Sequence, residues 1–275
     1  MSDAHAHTYE TLRLYDRDRY LTCLLQPKDY RDDMSALYAF NAEIARVRDL
    51  ISEPMPGEIR LQWWRDAIST MGEGARANPL ADALLETITK HDLPRDAFDK
   101  ILLARAFDLY DDPMPSRNDL EGYAGETTSL LFQLSGLIAG AEQSSLLAEC
   151  CGHAGVAYVI MQILRDLPRH ASRGQLYLPA DILQQCGAEP ARILDGEMHE
   201  GLGNALDEMI RLCRDHKAKA DAACDALGAH VRPGFLSLCL IEPYLKVIEK
   251  QGFNPFKDRV QISQIRAQWA LWRGR

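Results

Sequence analysis

Apolar residues recur at intervals of three and four along almost the whole chain, as in Leu37, Phe40, Ile44 and Val47, in Leu80, Leu84 and Ile88, and in Ile101, Leu102, Ala106 and Leu109. That period lays one apolar stripe along an α-helix, whereas a half-buried strand alternates every second residue, and such alternation is scarce here. Between the stripes stand EPMPG, HDLP, DDPMP and HVRPG, where proline or glycine stops one helix and opens the next. The pattern predicts an all-α protein of roughly ten helices. Two stretches, Thr127 to Ala141 and Cys150 to Leu164, are apolar on more than one face and are expected at the centre, enclosed by other helices. Gly136, Gly140, Gly152 and Gly155 fall in these stretches, where they permit close helix contacts or leave room for a ligand beside the backbone.

With 275 residues, 47% of them hydrophobic, the chain can bury a large core. The segments PMPG near Pro54, YDDPMPSRND near Asp111 and RGQLYLPAD near Arg173 are too short to serve as interdomain linkers, so residues 1–275 are read as a single domain. A net charge of −9 and an isoelectric point near 5.4 argue against nucleic acid as a partner, because wrapping a phosphate backbone needs a basic face. The seven cysteines include an adjacent Cys150–Cys151 pair but no C-x-x-C, which suggests reduced, mostly buried thiols and neither a zinc site nor a disulfide framework. MSDAHAHTYE lacks the basic start and apolar stretch of a signal peptide, and no later run approaches the roughly 18–20 apolar residues of a membrane span. A cytoplasmic location is therefore expected, with His5 and His7 incidental on a disordered terminus.

Two segments go beyond generic helix. ALYAFNAEIARVRDLISEP runs from Ala36 to Pro54, and ILRDLPRHASRGQLYLP from Ile163 to Pro179. Together they resemble the squalene/phytoene synthase family, whose signatures read L-Y-A-F-C-R-x-x-D-D-x-x-D and N-I-L-R-D-x-x-x-D-x-x-x-G-R-x-Y-L-P. The resemblance implies an isoprenoid-synthase helical bundle around a central apolar cavity. It implies two aspartate motifs that face each other and hold magnesium, which binds the diphosphate of a farnesyl or geranylgeranyl chain and draws it off. Aspartates four apart share one helix face, and hard oxygen ligands suit magnesium.

Tyr38 stands at the family tyrosine and Tyr177 at that of the second signature. Ala45 and Arg46 replace the paired aspartates of the first, leaving Asp49; in the second, Gln162 replaces asparagine, Asp166 is retained and His170 stands for the next aspartate. Asp166 is surrounded by Arg165, Arg169 and Arg173, so this motif is net positive where a cation-gathering site should be negative. Asp49 and Asp166 either pair internally, with Arg46 or Arg165, or face a ligand. The arginines and His170 either form a solvated basic face or bind an anionic head without metal, since guanidinium grips phosphate by paired hydrogen bonds.

The run FNAEIARVRDLISEPMPGEIRLQWWRDAI looks more like the branch of the family that contains a mitochondrial respiratory complex I assembly factor and its bacterial relatives. The resemblance then implies a non-catalytic protein with no cofactor, a prenyl or lipid-like ligand, and a part in complex I assembly through its subunits or intermediates. Tyr38, Arg46, Asp49, Tyr123, Gln162, Arg165, Asp166, Arg169, His170, Arg173 and Tyr177 are the ligand-binding candidates. The alternative is an active magnesium-dependent prenyltransferase making squalene or phytoene with Asp49, Asp166 and Glu43. DLYDD, from Asp108 to Asp112, reads as a solvated loop because Pro113 ends the helix there. One of Trp63 and Trp64 should point inward and the other towards a groove. In QIRAQWALWRGR, Ile265, Trp269 and Trp272 stand at helical spacing beside Arg266, Arg273 and Arg275, a stretch suited either to peripheral membrane or partner contact or to closing the bundle.

Overall fold

The computed structural model describes residues 3–72 and 78–274. The chain runs through α1 (Asp3–Tyr15), α2 (Arg17–Leu24), α3 (Arg31–Ala45), α4 (Pro54–Ser69), α5 (Pro79–Lys90), α6 (Arg95–Ala104), α7 (Arg117–Ala124) and α8 (Leu130–Ile138). It continues through α9 (Ser145–Ala171), α10 (Ala180–Gln185), α11 (Pro190–Leu194), α12 (Glu200–Leu227), α13 (Arg232–Phe235), α14 (Ile241–Ile248) and α15 (Gln264–Arg273). Among the described residues there is no strand, in keeping with the all-α reading. The helices outnumber the ten expected because α10, α11 and α13 are one-turn pieces, too short for an apolar period to register in sequence. His5 and His7 lie on α1 and not on a disordered terminus.

Helix starts follow their capping chemistry. Asp16, Asn78, Ser116, Ser144 and Ser263 each accept a backbone N–H of the helix they open, and Pro54, Pro79 and Pro190 occupy first positions where no N–H is needed. The longest helices, α9 and α12, have 27 and 28 residues, about 40 Å each, and pack along one another. Contrary to the expectation from sequence, α9 is long and apolar enough to cross a membrane, but 67% of that apolar window is buried against its neighbours. The reading of Cys150 to Leu164 as an enclosed helix agrees with this.

A second cluster packs α3 against α1, α5 and α8. Trp64 is buried there, its ring centroid 5.0 Å from that of Phe40, while Trp63 stays 36% exposed, so the adjacent tryptophans divide as their spacing requires. Gly155 is a packing residue, because a Cβ there would lie 2.5 Å from the backbone nitrogen of Ser129. This pairing brings α9 against the π-turn Gly125–Ser129 that joins α7 to α8. All seven cysteines are free thiols.

Candidate functional site

A cavity of about 920 Å³ opens between the start of α2, the end of α3, the last turns of α9 and the segment from Pro255 into α15. Gln162, Arg165, Asp166, Arg169 and His170 follow one another on α9 at i, i+3, i+4, i+7 and i+8, so one helix face delivers all five to its wall. Arg173 joins them from the turn that follows. Opposite, α3 ends at Ala45 and the chain tightens into a 3-10 turn, Val47–Leu50, that carries Arg48 and Asp49.

The two surviving acids of the motifs are tied together by arginine. Arg169 places Nη1 3.4 Å from Asp49 Oδ2 and Nη2 3.1 Å from Asp166 Oδ2. Arg173 closes on the other oxygen of Asp49, and Arg165 divides between Asp166 at 3.2 Å and the buried Asp18 at 2.9 Å. Burial works against ionisation of Asp166, but the guanidiniums of Arg165 and Arg169 outweigh it and hold the carboxyl below its usual range. Asp18 goes the other way: burial raises its pKa despite Arg165, and the Tyr244 hydroxyl donates to it at 2.8 Å.

Arg46 is not the partner of Asp49. It pairs with Glu43 at 3.5 Å, one turn back on α3, and lies 3.5 Å from the centroid of the Tyr15 ring, while the 3-10 turn swings Asp49 towards α9. Glu43 is also held by Arg60 at 3.1 Å and faces a separate groove beside Trp63. Tyr38 is buried outside the cavity wall, its ring 5.3 Å from the guanidinium of Arg19. Gly136, Gly140, Gly152 and Gly155 also lie outside the wall.

Several wall residues were not singled out in the sequence. Asp108 is buried, which corrects the reading of DLYDD as solvated at its first residues, while Tyr110, Asp111 and Asp112 are exposed: Asp108 accepts the hydroxyls of Tyr123 at 2.8 Å and Tyr177 at 2.9 Å and the guanidinium of Arg105 at 3.0 Å. Burial pushes both phenols well above their ordinary pKa, so they remain donors. His170 packs on Tyr177 with ring centroids 4.7 Å apart, and its pKa falls to about 4, burial outweighing the attraction of Asp166. Arg19, also unflagged, is almost wholly buried between Tyr38 and Tyr158 and pairs with Asp16 at 3.1 Å. The sequence carries a signal for both, an arginine and an aspartate three apart in DRDR (Asp16 and Arg19) and RAFD (Arg105 and Asp108), but such pairs are usually solvated helix pairs.

Among the described residues, ten arginine and lysine side chains line the cavity against six aspartates. Buried Nε of Arg19, Arg48 and Arg105 and Nδ1 of His170, all on wall residues, have no hydrogen-bond partner among the described residues. Such orphaned groups cost about 1–3 kcal/mol each unless a ligand or water satisfies them. The wall is therefore suited to an anion. It does not fit the magnesium cluster that the family resemblance implies, because among the described residues no three His, Cys, Asp or Glu side chains converge on one point. Asp49 and Asp166 already face guanidiniums, and magnesium demands a near-octahedral set of oxygen ligands.

The squalene/phytoene synthase family model matches residues 12–273. NADH dehydrogenase (ubiquinone) complex I assembly factor 6 of Rattus norvegicus is 31% identical over 260 residues, 94% of this chain and 78% of that protein. The chloroplastic phytoene synthase 1 of Arabidopsis thaliana is 24% identical over 280 residues, 98% of this chain and 66% of that one. A dehydrosqualene synthase crystallised with a ligand superposes with a TM-score of 0.84 at 17% identity, covering 98% of this chain and 95% of that one. The fold is thus the isoprenoid-synthase bundle expected from the two motifs. The match from Leu12 to Arg273 takes in every helix after α1, and the chain belongs to the squalene/phytoene synthase family.

Proposed function

We propose that this chain is a non-catalytic member of its family that holds a molecule with a phosphate-like head and a prenyl or lipid-like tail, and that it assists the assembly of respiratory complex I. The observation that carries the reading is Arg169, whose guanidinium lies between Asp49 and Asp166. Each of these partly exposed pairs adds about 1 kcal/mol or less to folding. Their effect is on the field, because acids already neutralised in this way attract no cluster of divalent cations. The surplus of cations along the wall favours an anionic head, while Leu21, Val159, Ile163 and Ile262 offer an apolar side to a tail. The volume falls within the range of small-molecule sites, roughly 300–1,000 Å³. The assembly role rests on identity near 30% to assembly factor 6 across most of both chains.

Two measurements test the reading separately. Deleting the gene should lower assembled NADH dehydrogenase and its activity, and normal levels would remove the assembly role. Purified protein with magnesium and farnesyl or geranylgeranyl diphosphate should release no more diphosphate than the Asp49→Asn/Asp166→Asn variant. Squalene, phytoene or released diphosphate above that background would establish the prenyltransferase reading instead.

A further inference from the structure

Helix α15 closes one side of the cavity with Ala267, while Ala267 and Leu271 are buried against the bundle. Its other side is apolar and turned outward: Ile265 is 79% exposed, Trp269 58% and Trp272 60%. Spaced i, i+4 and i+7, these three form one stripe, and the two indoles stack with centroids 5.5 Å apart. The sequence allowed the stretch to close the bundle; α15 does so with one face and leaves the tryptophans free. A single exposed aromatic is ordinary, but a stripe of two tryptophans and an isoleucine marks a contact surface.

Charge identifies what the stripe meets. Arg266 and Arg273 flank it, and Arg17, Lys257 and Arg259 stand at the adjoining cavity rim. None of the five has a carboxylate partner among the described residues, although the protein as a whole is acidic at −9. Arg17 instead donates to Gln264 at 3.1 Å, joining the rim to the first turn of α15. Arg275 lies outside the described residues. Unpaired cations beside outward tryptophans match the surface of an anionic bilayer, where indoles settle at headgroup depth and each arginine or lysine adds attraction within a Debye length. An acidic bilayer attracts this patch even though it repels the rest of the molecule, which also sets the orientation.

The geometry points to α15 and the adjoining rim as a docking surface for anionic phospholipid membranes, holding the cavity mouth against the lipid. The surface stands independently of whether the cavity holds a ligand or the protein serves complex I.

The test is co-sedimentation of the full chain with vesicles of phosphatidylcholine alone and of phosphatidylcholine mixed with phosphatidylglycerol. Binding should be confined to the anionic vesicles, fall with added salt, and weaken about tenfold or more in both Trp269→Ala/Trp272→Ala and Arg266→Glu/Arg273→Glu. Circular dichroism melting should leave both variants as stable as the parent, and brominated lipid should quench the parent's tryptophan fluorescence. If the parent fails to sediment with anionic vesicles, or the tryptophan variant sediments equally well, the surface is misassigned. A dimer in solution that the tryptophan substitutions dissociate, with no vesicle binding by the parent, would likewise overturn it in favour of self-association.

Discussion

At the scale of single residues, the site is an exchange of metal ligands for guanidiniums. Where the family motif calls for further aspartates, this chain supplies Arg46 and His170, and the acids that remain are held by Arg165, Arg169 and Arg173. Charge-assisted contacts from arginine to phosphate are worth roughly 1.5–3 kcal/mol, so Arg169→Ala or Arg173→Ala should weaken inorganic diphosphate binding about ten- to a hundredfold in calorimetric titration. Equal affinity in parent and variants would place the anion elsewhere. His170 makes a pH prediction. Its pKa is near 4 in the folded protein and about 6.5 when unfolded, so the unfolded chain binds more protons between those values. Stability is full above pH 6.5 and falls as the pH drops towards 4, by at most roughly 3 kcal/mol. Denaturant melts should show a smaller loss across that window in His170→Gln. The sequence shows that Asp49 and Asp166 are solitary acids among arginines and offers Arg165 to Asp166, a pair the structure contains, but the partners of Asp49 follow from the approach of residues 120 or more apart in the chain.

At the scale of elements, α9 does most to build the site, and its glycines make opposite predictions. The chain approaches Gly155 so closely that a methyl group would collide with the backbone of Ser129, which cannot swing aside as a long side chain does. Gly155→Ala should therefore cost about 3 kcal/mol by thermal unfolding. At Gly152, also within α9, no atom lies within 4 Å of the added carbon, and Gly152→Ala should gain up to about 1 kcal/mol from helix propensity alone. The sequence contains both glycines but cannot separate them, because the difference depends on what packs opposite. The end of α3 is a similar case. Apolar spacing continues through Val47, yet the helix gives way at Ala45 to the 3-10 turn that moves Asp49 out of line with Arg46. Periodicity records which face is apolar, and it does not record a change in hydrogen-bond register.

At the scale of the whole molecule, a fold shared with a dehydrosqualene synthase surrounds a wall whose charge is reversed relative to a cation-gathering site. Ligand that binds only the folded state stabilises it by about 2.7 kcal/mol at a hundredfold excess over its Kd. The hydrolysis-resistant farnesyl thiodiphosphate should therefore raise the melting temperature equally with magnesium or with a chelator present. A rise that requires magnesium would contradict the metal-free reading. The acidic protein surface and the basic, aromatic patch on α15 belong together at this scale, since one sets what is repelled and the other what is approached.

By itself the sequence determined the class of every long element, because a stripe repeating every three to four residues has only one folded use. It determined the family as well, because RGQLYLP and LYAF are distinctive strings of residues, and it revealed where the acids had been lost. The tertiary structure alone decided that Arg169 and Arg173 neutralise Asp49, that Asp108 lies beneath two tyrosines, and that the tryptophans of α15 face outward. Each of these depends on distances between residues far apart in the chain. Electrostatic and packing energies depend on separation in space, and a linear pattern constrains that separation only within a helix turn or two.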